Sequence, residues 1–338
     1  MKLFWQSIVF GALLHFISAV ASPANLPSES STNAITIERF TWHDPKRDRD
    51  VPVKIYSPVT NSSPLPVIIF SHGLGGTRET YEYLGRYWAS HGYFVVHVQH
   101  LGSDDAVWRE AGLLNGMSAM RKAVADPGNA INRPQDVSFV IDELDRLNRE
   151  QSGYQHKLDL DRIGVGGHSF GAFTALALAG QTFAPTANPE ASLADARVKA
   201  VIPMSAPVPA NKRRLDESYA NIHIPCFHMT GTKDTSPIGD TKPEERRLPF
   251  DHCRNSNQFL LTFKDGDHMV FSGRGRRPSK QERTFQALIC ESSTAFWNAY
   301  LLNDGSSKAW LTNNFKTALG ANGTFEIKLP ARSKPTER

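Results

Sequence analysis

The feature that most restricts the fold of this chain is a series of short apolar runs separated by turn residues. Eight runs are typical of β-strands, and they begin near residues 35, 51, 66, 94, 162, 198, 224 and 258. The third to eighth runs are almost continuously apolar, as strands buried on both faces of a parallel sheet are. The first two runs alternate between polar and apolar residues, which predicts an edge hairpin.

Helical patterns lie between these runs, over residues 78–90, 134–149, 169–181 and 280–302. The alternation predicts the α/β class: an eight-stranded, mostly parallel, doubly wound sheet with helices on both faces. Ligands of such sheets bind at the carboxyl ends of the strands. Because no internal repeat interrupts the pattern, we expect a single domain over residues 35–330.

The N-terminus has the pattern of an export signal. Lys2 precedes an apolar run, and Ala19-Val20-Ala21 fits a cleavage site before Ser22. A membrane anchor is the alternative, but the run is shorter than the ~20 apolar residues of a spanning helix. We therefore expect a signal peptide over residues 1–21, a flexible lead-in over 22–34, secretion to the extracellular space or periplasm, and no stable membrane anchor.

The charge of the chain argues against nucleic-acid binding. The 338 residues carry a net charge of +4, and their basic residues are dispersed.

The cysteines of an exported chain allow a disulfide. Export permits disulfides, and three cysteines allow one pair at most. Cys226 lies in an apolar run and is predicted to be a free buried thiol, so Cys253 and Cys290 are the preferred pair.

A glycine-rich motif follows the fifth strand: Gly167-His168-Ser169-Phe170-Gly171. A dinucleotide-binding loop would need glycine at position 169, and a phosphate-binding Walker loop would need lysine at 172, where the chain has Ala172. What remains is G-x-S-x-G between a strand and a helix. This context predicts a nucleophile elbow with Ser169 as the reactive residue.

A serine nucleophile needs a base, and the base needs an orienting acid. In this arrangement the acid follows the serine in sequence and the histidine comes last. Asp234 follows the seventh strand, although a turn aspartate is the alternative interpretation. His268 follows the eighth strand, and His252, which precedes that strand, is its main rival. We predict Ser169, Asp234 and His268 as the catalytic residues.

Two backbone N–H groups are predicted to bind the oxyanion that forms during acyl transfer. Phe170 supplies one, immediately after the nucleophile. Leu74 supplies the other, from the glycine-rich stretch "FSHGLGGT" after the third strand. We expect neither a metal nor an organic cofactor, because no cluster of ligand residues has metal-binding spacing.

Several stretches together resemble a known group. "FSHGLGGTRETYEYLGRYWASHGYFVVHVQHLGSD", "NRPQDVSFVIDEL", "GHSFGA", "MTGTKD" and "DGDHMVFSG" are similar to α/β-hydrolases, and among these to platelet-activating-factor acetylhydrolase-like and dienelactone-hydrolase-like esterases. The resemblance implies the same triad and the same oxyanion donors. Two departures are Ser169, where dienelactone hydrolases have cysteine, and Ala172, where the acetylhydrolases usually have a second glycine.

Two segments near the predicted site each allow two interpretations. Residues 100–133 are long for a connection, and they either fold over the pocket or form a packed helical excursion. Their candidate pocket residues are Trp108, Leu113, Leu114, Met117 and Met120. The loop "SGRGRRPSK" after His268 could bind an anionic group, or be a solvated loop, through Arg274, Arg276, Arg277 and Lys280.

The sequence therefore predicts a secreted serine esterase that acts through an acyl-enzyme intermediate. The resemblance suggests a small-molecule or lipid-like substrate, first a short-chain or oxidised-lipid ester linked to lipid degradation. Cutinase-like polyesters or plant-wall esters are the alternative, and thioesters or amides stay open. A non-catalytic binding protein with a hydrolase fold is the alternative from another class. Oligomeric state is not predicted.

Overall fold

A single mixed sheet organises the part of the chain that the computed structural model describes, namely residues 33–60, 64–182, 192–209, 211–273 and 278–330. Nine strands pair in the order β1-β2-β4-β3-β5-β6-β7-β8-β9. They are β1 (Ile35–Asp44), β2 (Arg49–Pro58), β3 (Leu65–Ser71), β4 (Phe94–Val98), β5 (Leu158–His168), β6 (Val198–Met204), β7 (Cys226–Lys233), β8 (Gln258–Asp267) and β9 (Gly323–Lys328).

The predicted α/β architecture is confirmed. The six central strands β3 to β8 run parallel to one another, whereas β1 and β2 form the expected antiparallel hairpin at one edge. The ninth strand, β9, was not predicted and pairs antiparallel with β8 at the other edge. Since parallel strands end at the same edge of a sheet, the segments that follow β3, β5, β7 and β8 can meet there.

Nine α-helices connect the strands in the described part of the chain. α7 begins with a capping box, in which Ser279 Oγ accepts from the N–H of Glu282 and the Glu282 carboxylate accepts from the N–H of Ser279. The helices are α1 (Glu82–Ser90), α2 (Ala106–Ala125), α3 (Pro127–Glu150), α4 (Phe170–Ala179), α5 (Leu215–Tyr219), α6 (Leu248–His252), α7 (Lys280–Leu301), α8 (Gly305–Ala309) and α9 (Phe315–Leu319).

The sheet separates two hydrophobic cores. One core packs apolar residues of α3 and α4 against one face, with Val140 and Leu176 among them. The other packs α1 and α7 against the opposite face, with Trp88 and Trp297 in edge contact at 6.1 Å between ring centroids. Burial on both faces explains why the central strands are apolar without alternation.

The predicted disulfide between Cys253 and Cys290 is wrong. All three cysteines are free and buried. Cys253 belongs to the core that contains α3 and α4, whereas Cys290 belongs to the core on the other side of the sheet. Cys253 instead interacts with the thiol of Cys226 on β7. A pairing across the sheet is sterically excluded because the backbone of the sheet lies between the two side chains.

The N-terminal predictions fall largely on residues that the structure does not describe. The signal peptide over 1–21 and most of the lead-in over 22–34 lie outside the described residues. Within the described residues, no helix has both the length and the apolar character required to cross a membrane.

Candidate active site

Ser169 lies in a sharp turn between β5 and α4. Its backbone has φ 54° and ψ −113°, a conformation that residues other than glycine rarely adopt. The N–H of Ser169 donates to the carbonyl of Met204 at 2.8 Å, which fixes the turn to the neighbouring strand β6. This geometry is that of the strained strand-turn-helix that G-x-S-x-G predicts.

The glycines on either side of the serine are required by close backbone contacts. A Cβ atom at position 167 would lie 2.2 Å from the carbonyl oxygen of Gly171, and one at position 171 would lie 1.9 Å from the carbonyl oxygen of Ser71. Neither distance can be relieved by moving a side chain. The turn, the first residues of α4 and the end of β3 are therefore held in contact.

Asp234 and His268 form a buried pair at the same edge of the sheet. His268 Nδ1 lies 2.7 Å from Asp234 Oδ1, and Thr230 Oγ1 donates to the other carboxylate oxygen at 2.8 Å. Burial acts to raise the pKa of Asp234, but the hydrogen bond with His268 and the charge of Arg246 outweigh it and hold this pKa at about 2. The carboxylate is therefore ionised and can orient the imidazole.

Arg246 packs against this pair from the turn Pro243–Arg247. Its guanidinium is buried, and its Nη1 donates to the carbonyls of Ser205 and Ala206 at 2.9 Å each. Its Nε lies 3.4 Å from Asp234 Oδ1. Arg246 thus ties the loop after β6 to the carboxylate. Sequence reasoning missed it, since nothing in the polar stretch around it distinguishes this arginine from its neighbours.

His168 and Tyr81 connect the base to the loop after β3. His168 Nε2 lies 2.8 Å from the carbonyl oxygen of His268, so this nitrogen must donate. Burial holds the pKa of His168 well below its usual value. In the neutral ring Nδ1 accepts, and the Tyr81 hydroxyl donates to it at 2.8 Å. The N–H of Gly73 donates to the Tyr81 oxygen at 3.4 Å, which completes the chain.

The loop after β3 has the tight form that an oxyanion-binding loop requires. The His72 ring contacts the carbonyl of Gly73 at 2.7 Å through Nδ1, and the N–H of Gly76 donates back to that carbonyl at 3.0 Å. Gly75 has φ 71°, in the left-handed region. Leu74 lies between these glycines and lines the same cavity as Ser169.

These residues share a cavity of about 180 Å³ at the carboxyl edge of the sheet. Its polar part includes Ser169 and His268, and its apolar part includes Met120 and Ile238. The described residues form no hydrogen bond between Ser169 and His268; such contacts often tighten only when substrate binds. Lining residues are Gly73, Leu74, Tyr81, Met120, Val124, His168, Ser169, Phe170, Pro207, Ser236, Pro237, Ile238, Gly239, Thr241, Arg246, His268 and Met269.

The long segment over residues 100–133 contains a helix, α2, and only part of it reaches the cavity. Met120 lines the cavity, whereas Leu113 and Leu114 are almost fully exposed and Met117 is about half exposed. Trp108 donates through Nε1 to the carbonyl of Gly75 at 3.1 Å, so it supports the loop that carries Leu74. Both interpretations of the segment therefore hold in part.

His252, the alternative candidate for the catalytic base, lies outside the cavity. His252 contacts Asp216 at 2.6 Å at the surface end of α6 and does not line the cavity. Of the basic loop after His268, Arg274, Arg276 and Arg277 lie outside the described residues. Across the described ranges no group of three or more histidine, cysteine or acidic side chains could hold a metal ion.

Comparisons with known proteins give a consistent resemblance over part of the chain. A family model described as platelet-activating factor acetylhydrolase, isoform II, matches residues 39–109. This region includes the loop with Leu74 but not Ser169, Asp234 or His268. The match therefore supports only the N-terminal part of the fold, from β1 to the start of α2, while the grouping of Ser169, Asp234 and His268 depends on the geometry above.

Three curated relatives carry the name platelet-activating factor acetylhydrolase. The guinea pig (Cavia porcellus) protein is 29% identical over 151 residues, covering 37% of this chain and 34% of that protein. The dog (Canis lupus familiaris) protein is 28% identical over 152 residues, with the same coverage of 37% and 34%. The cattle (Bos taurus) protein is 24% identical over 245 residues, covering 61% of this chain and 48% of that protein.

The chain thus spans between about a third and a half of the length of the curated relatives that it matches. The elbow, the mostly parallel sheet and the family match agree with one another. The protein has an α/β-hydrolase fold, and its sequence is similar to that of the platelet-activating factor acetylhydrolases.

Proposed function

We propose that the protein is a serine esterase that cleaves carboxylic esters through an acyl-enzyme intermediate. The observation that carries this proposal is the strained Ser169 in one cavity with the buried Asp234–His268 pair. The relatives named as acetylhydrolases support an ester as the substrate. We further propose export of the protein, on the basis of the signal-like pattern over residues 1–21.

The proposed reaction uses the residues that this cavity brings together. His268 Nε2 takes the hydroxyl proton of Ser169 while Oγ bonds to the ester carbonyl carbon, and the π electron pair of the carbonyl moves to its oxygen. The N–H groups of Leu74 and Phe170 hold the resulting oxyanion. The electron pair then returns, the bond to the alcohol oxygen breaks, and the alcohol leaves with the proton from His268. Water repeats the sequence on the acyl-enzyme and releases the acid.

The cavity favours a short acyl group. Its volume of about 180 Å³ is smaller than the ~300–1,000 Å³ of sites that hold drug-sized ligands. The apolar walls around Met120, Val124 and Ile238 suit an aliphatic chain without a charge. We therefore propose short-chain acyl esters, such as acetyl esters of lipid-like alcohols, as the substrate class.

Hydrolysis of p-nitrophenyl acetate and of longer acyl homologues tests the proposal. We expect turnover by the wild-type protein that decreases with acyl length, covalent labelling by a fluorophosphonate, and loss of both in Ser169→Ala, by at least about 10³-fold in kcat. Ser236→Ala is the matched control, because Ser236 lines the same cavity. If Ser169→Ala hydrolysed the esters as fast as the wild type, the nucleophile would be misassigned.

A further inference from the structure

Arg133 on α3 is a buried cation directly behind the two segments that supply the oxyanion donors. Its side chain is inaccessible to solvent. Burial lowers its pKa to about 9, so the guanidinium still carries its charge at neutral pH. Burying a charge is costly unless a partner compensates it. The contacts of this side chain must therefore show what stabilises the buried charge.

The first group of contacts joins Arg133 to the end of β3. Its Nη2 donates to Ser71 Oγ at 3.0 Å and also to the carbonyl oxygen of His72. His72 is followed by Gly73 and then by Leu74, the predicted oxyanion donor. The guanidinium thus fixes the peptide from which the oxyanion loop departs.

The second group joins Arg133 to the start of α4. Its Nε donates to Thr174 Oγ1 at 3.1 Å, and that hydroxyl in turn donates to the carbonyl of Phe170 at 3.0 Å. The guanidinium carbon also lies 4.5 Å from the centroid of the Phe170 ring. Phe170 supplies the other predicted oxyanion N–H. The Arg133 side chain therefore contacts both segments that carry the predicted oxyanion donors, the loop with Leu74 and the start of α4.

A third contact, from Nη1 to Ser103 Oγ at 2.8 Å, extends to the loop after β4. All four acceptors of Arg133 are neutral oxygens, and no carboxylate forms an ion pair with it in the described ranges. Asp136, one turn later on α3, and Asp104 act on it only at longer range, and Asp136 is itself bound by Arg47, Arg49 and His100. The positive charge is therefore not neutralised by direct contact.

We propose that Arg133 is a positioning residue for the oxyanion hole: its guanidinium aligns the loop with Leu74 and the start of α4, and its positive charge, which no carboxylate of the described residues contacts directly, favours the oxyanion. This rests on the proposed esterase function. Preorganised dipoles and charges stabilise a transition state because they need no rearrangement when the negative charge develops. The residue acts on the rate through the alignment of other groups and through its charge, without touching the substrate.

Four variants separate this role from a purely structural one. Arg133→Met removes the charge and the hydrogen bonds. Arg133→Lys keeps the charge but loses the planar guanidinium, which donates several hydrogen bonds in fixed directions. Thr174→Val removes the hydroxyl that links Arg133 to Phe170, with little change in side-chain volume. Arg197→Met is the control. Arg197 also fastens α3, through Asp142 and the carbonyl of Ser138, but its hydrogen bonds reach neither the loop with Leu74 nor the start of α4.

We expect kcat per fluorophosphonate-titrated site to fall by about 10–100-fold in Arg133→Met and by at least about threefold in Arg133→Lys and Thr174→Val. KM should stay within about twofold of the wild-type value, because the bound ester carries no oxyanion before the serine attacks. Affinity for a trifluoromethyl ketone, which adds to the serine and forms an oxyanion, should fall in parallel with kcat/KM. Affinity for a non-reacting ether of the same shape should not change, and Arg197→Met should match the wild type in all of these measurements.

Wild-type kcat per site in both Arg133→Lys and Thr174→Val would overturn the proposal, even if Arg133→Met failed to fold. Equal weakening of the ketone and the ether would also overturn it, since that result indicates general damage to the cavity. If the wild-type protein itself neither hydrolysed an ester nor reacted with the fluorophosphonate, the proposed esterase function would fail first, and this role would fail with it.

Discussion

At position 169 the backbone adopts a conformation that glycine accepts easily and serine does not. The strain costs ~1–3 kcal/mol in the folded state. It persists because Gly167 and Gly171 allow the surrounding backbone to close tightly around the turn. In the mechanism that we propose, the strain holds the hydroxyl clear of the sheet and next to the start of α4.

Ser169→Gly should therefore be inactive and more stable than the wild type. Relief of strain outweighs the ~0.5–1 kcal/mol that glycine loses in chain entropy, so we expect a net gain of ~0.5–2 kcal/mol in the free energy of unfolding. Ser169→Ala keeps a Cβ and with it the strain, so its stability should stay near that of the wild type. Urea unfolding of the three proteins measures both differences, and a less stable Ser169→Gly would show that the turn is not strained.

The elements around the cavity differ in how well their sequences predicted them. The central strands were recognised because burial on both faces makes them apolar throughout. β9 was missed because it is short and buries only Phe325. The sequence does not predict α2 clearly, because Gly112, with φ 70°, breaks its helical geometry and the helix has almost no apolar stripe.

Helix α2 nevertheless provides the sharpest test of acyl selectivity, because neighbouring turns of it face different surroundings. Met120 lines the cavity and Met117 does not. We expect Met120→Trp to lower kcat/KM at least tenfold for butyryl and longer esters, with a smaller effect on the acetyl ester, since the larger ring takes up cavity volume. Met117→Trp should change neither value. Hydrolysis rates across the acyl series measure this, and a uniform loss for all esters would contradict an acyl-binding role for Met120.

On the scale of the whole molecule, four of the buried histidines in and near the carboxyl edge of the sheet have a lowered pKa: His72, His97, His100 and His168. Burial lowers the pKa of His97 to about 3 and that of His100 to about 4. It holds the pKa values of His72 and His168 well below the usual range. Below pH ~6.5 the unfolded chain therefore binds protons that the folded protein does not bind.

Stability should consequently fall as the pH decreases from 6.5. Each proton taken up on unfolding contributes ~1.4 kcal/mol per pH unit, so four histidines approach ~5 kcal/mol per pH unit near pH 5. Urea unfolding between pH 7 and 5 measures the slope. His97→Gln should reduce it by about one proton, whereas replacement of the exposed His223 by glutamine should leave it unchanged. A free energy of unfolding that is constant over this range would refute the prediction.

The sequence predicted the grouping of the candidate catalytic residues better than it predicted the buried contacts around them. Ser169, Asp234 and His268 lie at ends of strands that are visible as apolar runs, so their meeting follows from the parallel sheet. Arg133 and Arg246 could not be found in this way, because each acts through contacts with segments far away in the chain. The wrong cysteine pairing has the same origin, since no local pattern indicates on which face of the sheet a residue lies.

Because the sheet divides the interior, the three buried cysteines can report separately on unfolding of its two sides. Cys226 and Cys253 are sealed in one core and Cys290 in the other. A thiol reagent can reach the first two when α3, α4 and α6 loosen, but it reaches the third only when α7 separates from the opposite face. The order in which the three sulfurs are modified would therefore distinguish opening of one side of the molecule from complete unfolding.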